Sequence, residues 1–178
     1  MQLNSSKTQA NLLAAFAGES QARNKYTYYA AKARKDGYEQ IAEIFEETAN
    51  NEKEHAEIWW KLLSGGAGPT ELNLDDAAKG ENYEWSTMYK NFAQEAREEG
   101  FNNIAVLFEL VAKIEQTHEE RFQKLSGNIK DQKVFEKEEE TIWICRNCGH
   151  IHKGKNAPKA CPVCSHEQAF FQVRAENY

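Results

Sequence analysis

One repeat constrains this chain more than any other feature: Glu52-Lys53-Glu54-His55 returns sixty-three positions later as Glu115-Gln116-Thr117-His118, two copies of Glu-x-x-His. The same shift of 63 superposes Ala33 on Ala96, Arg34 on Arg97, Gly37 on Gly100, Ile41 on Ile104, Ala42 on Ala105, Phe45 on Phe108, Glu46 on Glu109 and Ala49 on Ala112. The first 127 residues therefore read as a duplicated helical hairpin.

The repeated Glu and His fall where a helix should be apolar. One stripe runs Ile41, Phe45, Thr48, Glu52, His55, Trp59, Leu62, and its counterpart Ile104, Phe108, Val111, Glu115, His118, Phe122, Leu125. Both alternate steps of four and three, which keeps one face toward a bundle core. A buried, unpaired carboxylate costs several kcal/mol or takes up a proton. Two Glu/His pairs facing one core can be offset together by bound cations.

Taken in order, Asn4-Ser5-Ser6 is an N-cap cluster for a first helix that runs to about Asp36 and ends at Gly37. Its stripe Leu12, Phe16, Glu19, Ala22, Tyr26, Tyr29, Ala33 brings a third carboxylate, Glu19, to a core position. A second helix is expected from about Tyr38 to Leu63, a loop over Ser64-Gly65-Gly66-Ala67-Gly68-Pro69, and a third helix from near Leu74. The third helix carries Glu81 and Glu84 on one face. The shift of 63 places Glu19 on Asn82, between them, so one glutamate is surplus to the symmetry. We read one as the mirror of Glu19 and the other as a seventh ligand that makes two metal positions unequal. A single Glu-x-x-His is weak evidence, and Glu43, Glu47, Glu54 and Glu57 read as solvated. Two copies at matched core positions, with inward carboxylates on the other two helices, form the pattern of di-iron and di-manganese carboxylate bundles. Tyr26 and Tyr89, also related by the shift, are candidates for hydrogen bonds to those ligands.

The formal charge of −6 argues against nucleic acid or an anionic membrane as partner. The N-terminus lacks a signal-like pattern, and no apolar run approaches the ~20 residues of a membrane span. A cytoplasmic protein is expected.

A fourth helix, from about Phe101 to Leu125, is expected to stop at Ser126-Gly127-Asn128. The charged stretch 129–140 reads as a linker, with Val134-Phe135 a candidate short strand. The segment 141–178 holds all four cysteines, as Cys145-x-x-Cys148 and Cys161-x-x-Cys164. Two such knuckles signal a tetrathiolate metal site, and a segment this short needs that metal to fold. Four thiolates suit zinc or a single iron, and on spacing alone a structural zinc ribbon is the first reading. His150, His152 and His166 are then surface residues.

The chain resembles the rubrerythrin family through Gly18-Glu19-Ser20, Glu52-x-x-His55, Glu81-x-x-Glu84-Trp85, Ala96-Arg97-Glu98-Glu99-Gly100, Glu115-x-x-His118, Cys145-x-x-Cys148-Gly149 and Cys161-Pro162-x-Cys164. The resemblance covers nearly the whole chain. It implies a mainly α fold: a ferritin-like di-iron four-helix bundle over 1–128, a linker over 129–140, and a rubredoxin-like Fe(Cys)4 β domain over 141–178. It further implies Glu19 and Glu81 as terminal ligands of two irons, Glu52 and Glu115 as bridges, and His118 as ligand of the second iron. Glu84 and His55 become the ligands exchanged with redox state. The cysteine site then takes one iron, replaceable by zinc in recombinant protein.

The implied activity is reduction of hydrogen peroxide to water in oxidative-stress defence. Electrons would arrive from an NAD(P)H-linked reductase or a rubredoxin. Ferroxidase or iron storage, and a non-catalytic zinc-ribbon scaffold, are the alternatives. Ser165 departs from the glycine that rubredoxins carry after the second knuckle. Chain reach adds a further expectation: a loop over Ser64 to Asn73 would be almost straight if one chain built the whole bundle. A homodimer swapped between the second and third helices is therefore expected, the alternative being an unswapped dimer with a taut crossover.

Overall fold

The computed structural model describes residues 3–177. Five α-helices precede three strands: α1 (Lys7–Lys35), α2 (Glu39–Ser64), α3 (Thr70–Tyr83), α4 (Tyr89–Glu98), α5 (Asn102–Lys130), β1 (Glu136–Cys145), β2 (Ile151–Asn156) and β3 (Phe171–Val173). A π-helical turn, Glu84–Met88, joins α3 to α4. These three pieces make the third of the four expected helices. The chain divides into two compact units, Met1–Gly68 and Pro69–Tyr178.

In the first unit Ser6 caps α1, its hydroxyl accepting from Gln9 N at 3.1 Å. Gly37, at φ 85°, lets the chain turn back, and Tyr38 N donates to Ala33 O at 2.9 Å. The hairpin closes on alanines: Ala30, Ala33 and Ala42 are buried, with Phe45 against them. Small residues let two helix backbones approach, and the rings of Tyr26, Tyr29 and Phe45 fill the space beside the seam.

The second unit repeats this device. Ala93, Ala96 and Ala105 pack with Phe108, Tyr89 and Phe92 supply the rings, and Gly100 turns the chain at φ 87°. Arg34 grips Glu46 across the first hairpin as Arg97 grips Glu109 across the second, each through the two terminal guanidinium nitrogens. Exposed pairs of this kind contribute little to stability but define the register.

The expected apolar stripes are only partly buried. Ile41, Leu62, Ile104 and Leu125 remain 43% to 57% exposed. Two helices bury the seam between them and leave the other apolar face of each layer open.

Three expected boundaries move. α3 begins at Thr70 rather than near Leu74, because Pro69 can open a helix without losing a bonded N–H and Glu71 suits the positive end of the dipole. The connection after α2 shrinks to Gly65 through Pro69. α5 runs through Gly127 to Lys130 instead of stopping at Leu125. Asp75 on α3 holds that extension, accepting from Ser126 Oγ at 2.5 Å and from Lys130 Nζ at 2.9 Å. The strand placed at Val134-Phe135 instead spans Glu136–Cys145 and takes in the charged run of the expected linker, with Glu140 paired to Lys153.

β1 is the central strand of an antiparallel sheet ordered β2-β1-β3. Its Trp143 is fully buried beside Cys145, Cys161, Ala157 and Phe171, and donates from Nε1 to Gly154 O at 2.9 Å. Gly149 after the first knuckle has φ 77° and Ser165 after the second has φ 60°. The left-handed conformation disfavours a side chain by about 1 kcal/mol. Ser165→Gly should therefore stabilise the metal-loaded chain by about 1 kcal/mol, read as a rise in the guanidinium midpoint of the C-terminal transition.

Candidate metal centres

α1 and α2 bring Glu19, Glu52 and His55 together, with ligand atoms all within 4.8 Å of one another. α3 and α5 do the same with Glu81, Glu115 and His118. The two triads match closely. His55 Nδ1 lies 2.8 Å from Glu52 Oε2 and 3.9 Å from Glu19 Oε1; His118 Nδ1 lies 2.7 Å from Glu115 Oε2 and 3.9 Å from Glu81 Oε2. In both, Nδ1 faces the carboxylates. The helical spacing i, i+3 stacks each His on its own Glu, and the hairpin partner supplies the second carboxylate. The triads differ in exposure: the His55 side chain is 51% exposed and that of His118 35%.

Oxygen and imidazole donors in this number suit iron or manganese. The electrostatics also call for a cation. Burial raises the pKa of Glu81, the carboxylates of Glu115 and Glu84 push the same way, and His118 opposes them. Burial likewise raises the Tyr89 phenol, reinforced by Glu84, Glu115 and Glu81. Tyr89 thus stands among these carboxylates, its ring against Phe108 and Phe92. Tyr26 holds the matching place against Phe45. Glu84 opens the π-helical turn and stays outside the close triad.

The turn resolves the mismatch in the repeat. Glu19 corresponds to Glu81 by a shift of 62, whereas Tyr26 corresponds to Tyr89 by 63. Between those positions the second copy carries one extra residue, and the backbone absorbs it as a π turn, Tyr89 N donating to Glu84 O. Glu81 is therefore the mirror of Glu19 and Glu84 the surplus residue. The change of shift was visible in the sequence; the backbone form it would take was not.

In the second unit Cys145, Cys148, Cys161 and Cys164 converge. Sγ atoms lie 3.7 Å apart for Cys145 and Cys164 and 3.5 Å for Cys148 and Cys161. That is far beyond a disulfide bond and close to the ~3.7 Å edge of a tetrahedron with 2.3 Å metal–sulfur bonds. The knuckles are alike: Cys145 N donates to His150 O and Gly149 N to Cys145 O, as Cys161 N does to His166 O and Ser165 N to Cys161 O. The backbone of His166 lowers Cys164 to about 6. Cys148 is raised to about 12: the His150 backbone favours its thiolate, but desolvation and the three other sulfurs outweigh that. Without a cation the cluster cannot hold four thiolates at neutral pH. His152 and His166 lie outside the sulfur cluster, the His166 ring edge-on to Phe170 at 4.4 Å.

Two Glu/Glu/His triads on duplicated hairpins, followed by a tetrathiolate domain, define a helical carboxylate metalloprotein with an appended thiolate centre. The rubrerythrin family model matches residues 10–126, and the model of the rubrerythrin rubredoxin-like domain matches residues 143–172. Rubrerythrin-1 of Clostridium acetobutylicum is 48% identical, covering 99% of this chain and 98% of its own length. The rubrerythrin of Porphyromonas gingivalis is 49% identical over 97% of this chain and 92% of its own length. That of Nitratidesulfovibrio vulgaris is 46% identical over 99% and 98%. The chain belongs to the rubrerythrin family, whose cofactors are a di-iron centre and a rubredoxin-type iron. Among the described residues no helix is long and apolar enough to cross a membrane.

The raised pKa of Glu81 has a consequence in the metal-free protein. A carboxyl whose folded pKa exceeds its unfolded value contributes stability below the unfolded value and loses that contribution as pH rises through the folded one. Glu81→Gln, which imitates the protonated acid, should thus be more stable than the parent to urea near neutral pH. Its advantage should vanish once the pH falls below the ordinary carboxyl value of 4.5. With iron bound the order reverses at neutral pH, because a ligand is lost.

Proposed function

We propose that this protein is a peroxidase that reduces hydrogen peroxide to water, with electrons entering through the tetrathiolate site from a reductase linked to NAD(P)H or from a rubredoxin. The observation that carries the reading is that one chain holds both Glu/Glu/His half-sites and a four-thiolate site. Converting one peroxide to two waters consumes two electrons and two protons. A di-iron centre held by the Glu/His triads would supply the two electrons, and an iron held by Cys145, Cys148, Cys161 and Cys164 would supply one at a time.

The residues divide the remaining work. Glu52 and Glu115, the less exposed carboxylate of each triad at 17% and 15%, would hold both irons, and Glu19 and Glu81 would each hold one. His118, the better covered imidazole, is the fixed ligand. His55, half exposed, and Glu84, at the irregular turn, are the pair exchanged with redox state. Tyr26 and Tyr89 donate hydrogen bonds to the carboxylates. Residues 1–128 act as the bundle and 141–178 as the electron-entry domain. Four cysteines kept as thiols suit a reducing cytoplasm.

The chain truncated after Gln132 keeps all five helices. Chemically reduced and loaded with iron, it should be oxidised by peroxide in a single turnover, whereas its steady-state turnover with reductase and NAD(P)H should fall at least tenfold. Undiminished steady-state turnover would remove the cysteine site from the reaction, and oxidation by dioxygen in preference to peroxide would favour ferroxidase chemistry.

A swapped homodimer follows from the length of the connection. With Glu52 and Glu81 at one level of a bundle, α2 continues about 18 Å beyond it and α3 starts about 16 Å before it. Gly65 through Pro69 can reach about 20 Å, too little to return along a single bundle. Each di-iron site then takes Glu19, Glu52 and His55 from one protomer and Glu81, Glu84, Glu115 and His118 from its partner. Co-refolding chains bearing Glu52→Ala with chains bearing Glu115→Ala tests this. Swapped heterodimers regain one intact site of two, restoring about a quarter of wild-type bundle iron at equal mixing. Unswapped dimers regain none.

A further inference from the structure

Glu119 is, among the described residues, the one charged side chain that is buried, and it belongs to neither triad. Its carboxylate accepts from Asn82 Nδ2 on both oxygens at 3.1 Å, from Trp85 Nε1 at 2.5 Å and from Gln123 Nε2 at 2.7 Å. Asn82 follows Glu81 directly and Trp85 follows Glu84 directly. The two donors on the third helix therefore bracket the entry to the π turn, which begins at Glu84.

The first hairpin shows what the network is for. At the positions related by the repeat it carries Ser20 for Asn82, Arg23 for Trp85, Ala56 for Glu119 and Trp60 for Gln123. Ser20 there turns its hydroxyl back onto Phe16 O at 2.7 Å, and α1 passes through in regular α form. The buried carboxylate and its donors occur only in the copy that carries the extra residue.

A π turn is less stable than the α-helix around it and persists where something holds it. Slipping the surplus residue out of the turn would rotate one flanking segment by about 100° relative to the other. Tyr89 and Phe92, beyond the turn, could then no longer stand on the face that carries Glu81 and Glu84. We propose that Glu119 is a positioning residue: from α5 it clamps the π turn through Asn82 and Trp85, and so fixes where Glu84 stands relative to Glu115 and His118 on α5 and to Tyr89 beyond the turn. A buried carboxylate with its donors satisfied makes an effective clamp, since releasing either donor leaves a buried charge under-bonded. As it concerns Glu84, the inference rests on the peroxidase reading; as it concerns the turn, it does not.

The test compares the iron-loaded full chain with Glu119→Ala, which installs the first-hairpin residue, and Glu119→Gln. The amide side chain of the Glu119→Gln variant can still accept from Trp85 and can donate to a flipped Asn82. Amide hydrogen exchange over residues 82–89 should accelerate at least tenfold in Glu119→Ala and by an intermediate factor in Glu119→Gln, with α1, α2 and the tetrathiolate domain unchanged. The Mössbauer signals of the two bundle irons should move toward equivalence at unchanged iron content, and peroxide turnover should fall about tenfold. Exchange at 82–89 and iron signals like those of the parent would overturn the proposal. So would protection lost evenly along α3, α4 and α5, which would make Glu119 a packing residue. Absence of peroxide turnover in the parent would instead sink the functional reading, leaving exchange to decide the clamp.

Discussion

Mutual repulsion among carboxylates is the constraint on which the arrangement depends. Each hairpin draws two glutamates and a histidine within 4.8 Å, on helix faces otherwise given to Ile, Phe, Trp and Leu. Helices will not hold such groups together for stability alone, and the pKa of Glu81, raised first by burial and then by the carboxylates of Glu115 and Glu84, records the cost. The sulfur cluster meets the same difficulty. Cys164 is ready to ionise while Cys148 resists, so a cation reconciles the four. Metal loading and folding are therefore linked in both places, more completely in the small β domain, whose core is little more than Trp143, Phe171, Ala157 and two of the ligands themselves.

Set against that demand, the rest of each hairpin is economical. Alanines at the seam, a glycine at the turn and an arginine clasp suffice to align two long helices. Because both copies use the same parts, differences between them are informative. The second hairpin has the more covered histidine, the π turn, the surplus Glu84 and the buried Glu119; the first has regular helix and an open His55. Duplication accounts for the two matching triads, and one inserted residue accounts for the π turn found in the second copy alone.

Much of this was legible beforehand, for identifiable reasons. Helical periodicity, capping residues and glycine turns are local, so α1, α2 and the hairpin turns fall where their residues put them. Glu-x-x-His and Cys-x-x-Cys have fixed reach, so the close triads and the sulfur cluster could be read from spacing. What escaped depended on distant partners. Asp75 extends α5 past a glycine from fifty-one residues away in the chain. The charged run Glu136 to Glu140 has poor strand propensity; it joins β1 through Glu136 opposite Asn156 on β2, a bulge before Thr141, and the ion pair of Glu140 with Lys153. Glu119 carries no signal in its own stretch of sequence, because Asn82 and Trp85, which donate to it, come from far away in the chain.

The connection Gly65 to Pro69 bears on how the molecule comes into being. Nearly all contacts of α1 and α2 are with each other, so the first hairpin can form as soon as it leaves the ribosome, in a fast step of low contact order. The second hairpin forms in the same way some sixty residues later. Each hairpin is then left with isoleucines and leucines exposed. If a swapped dimer covers those side chains, that step is bimolecular and slows as the protein becomes scarce. The cellular abundance of the protein, rather than its folding rate, then sets how long half-built iron sites persist.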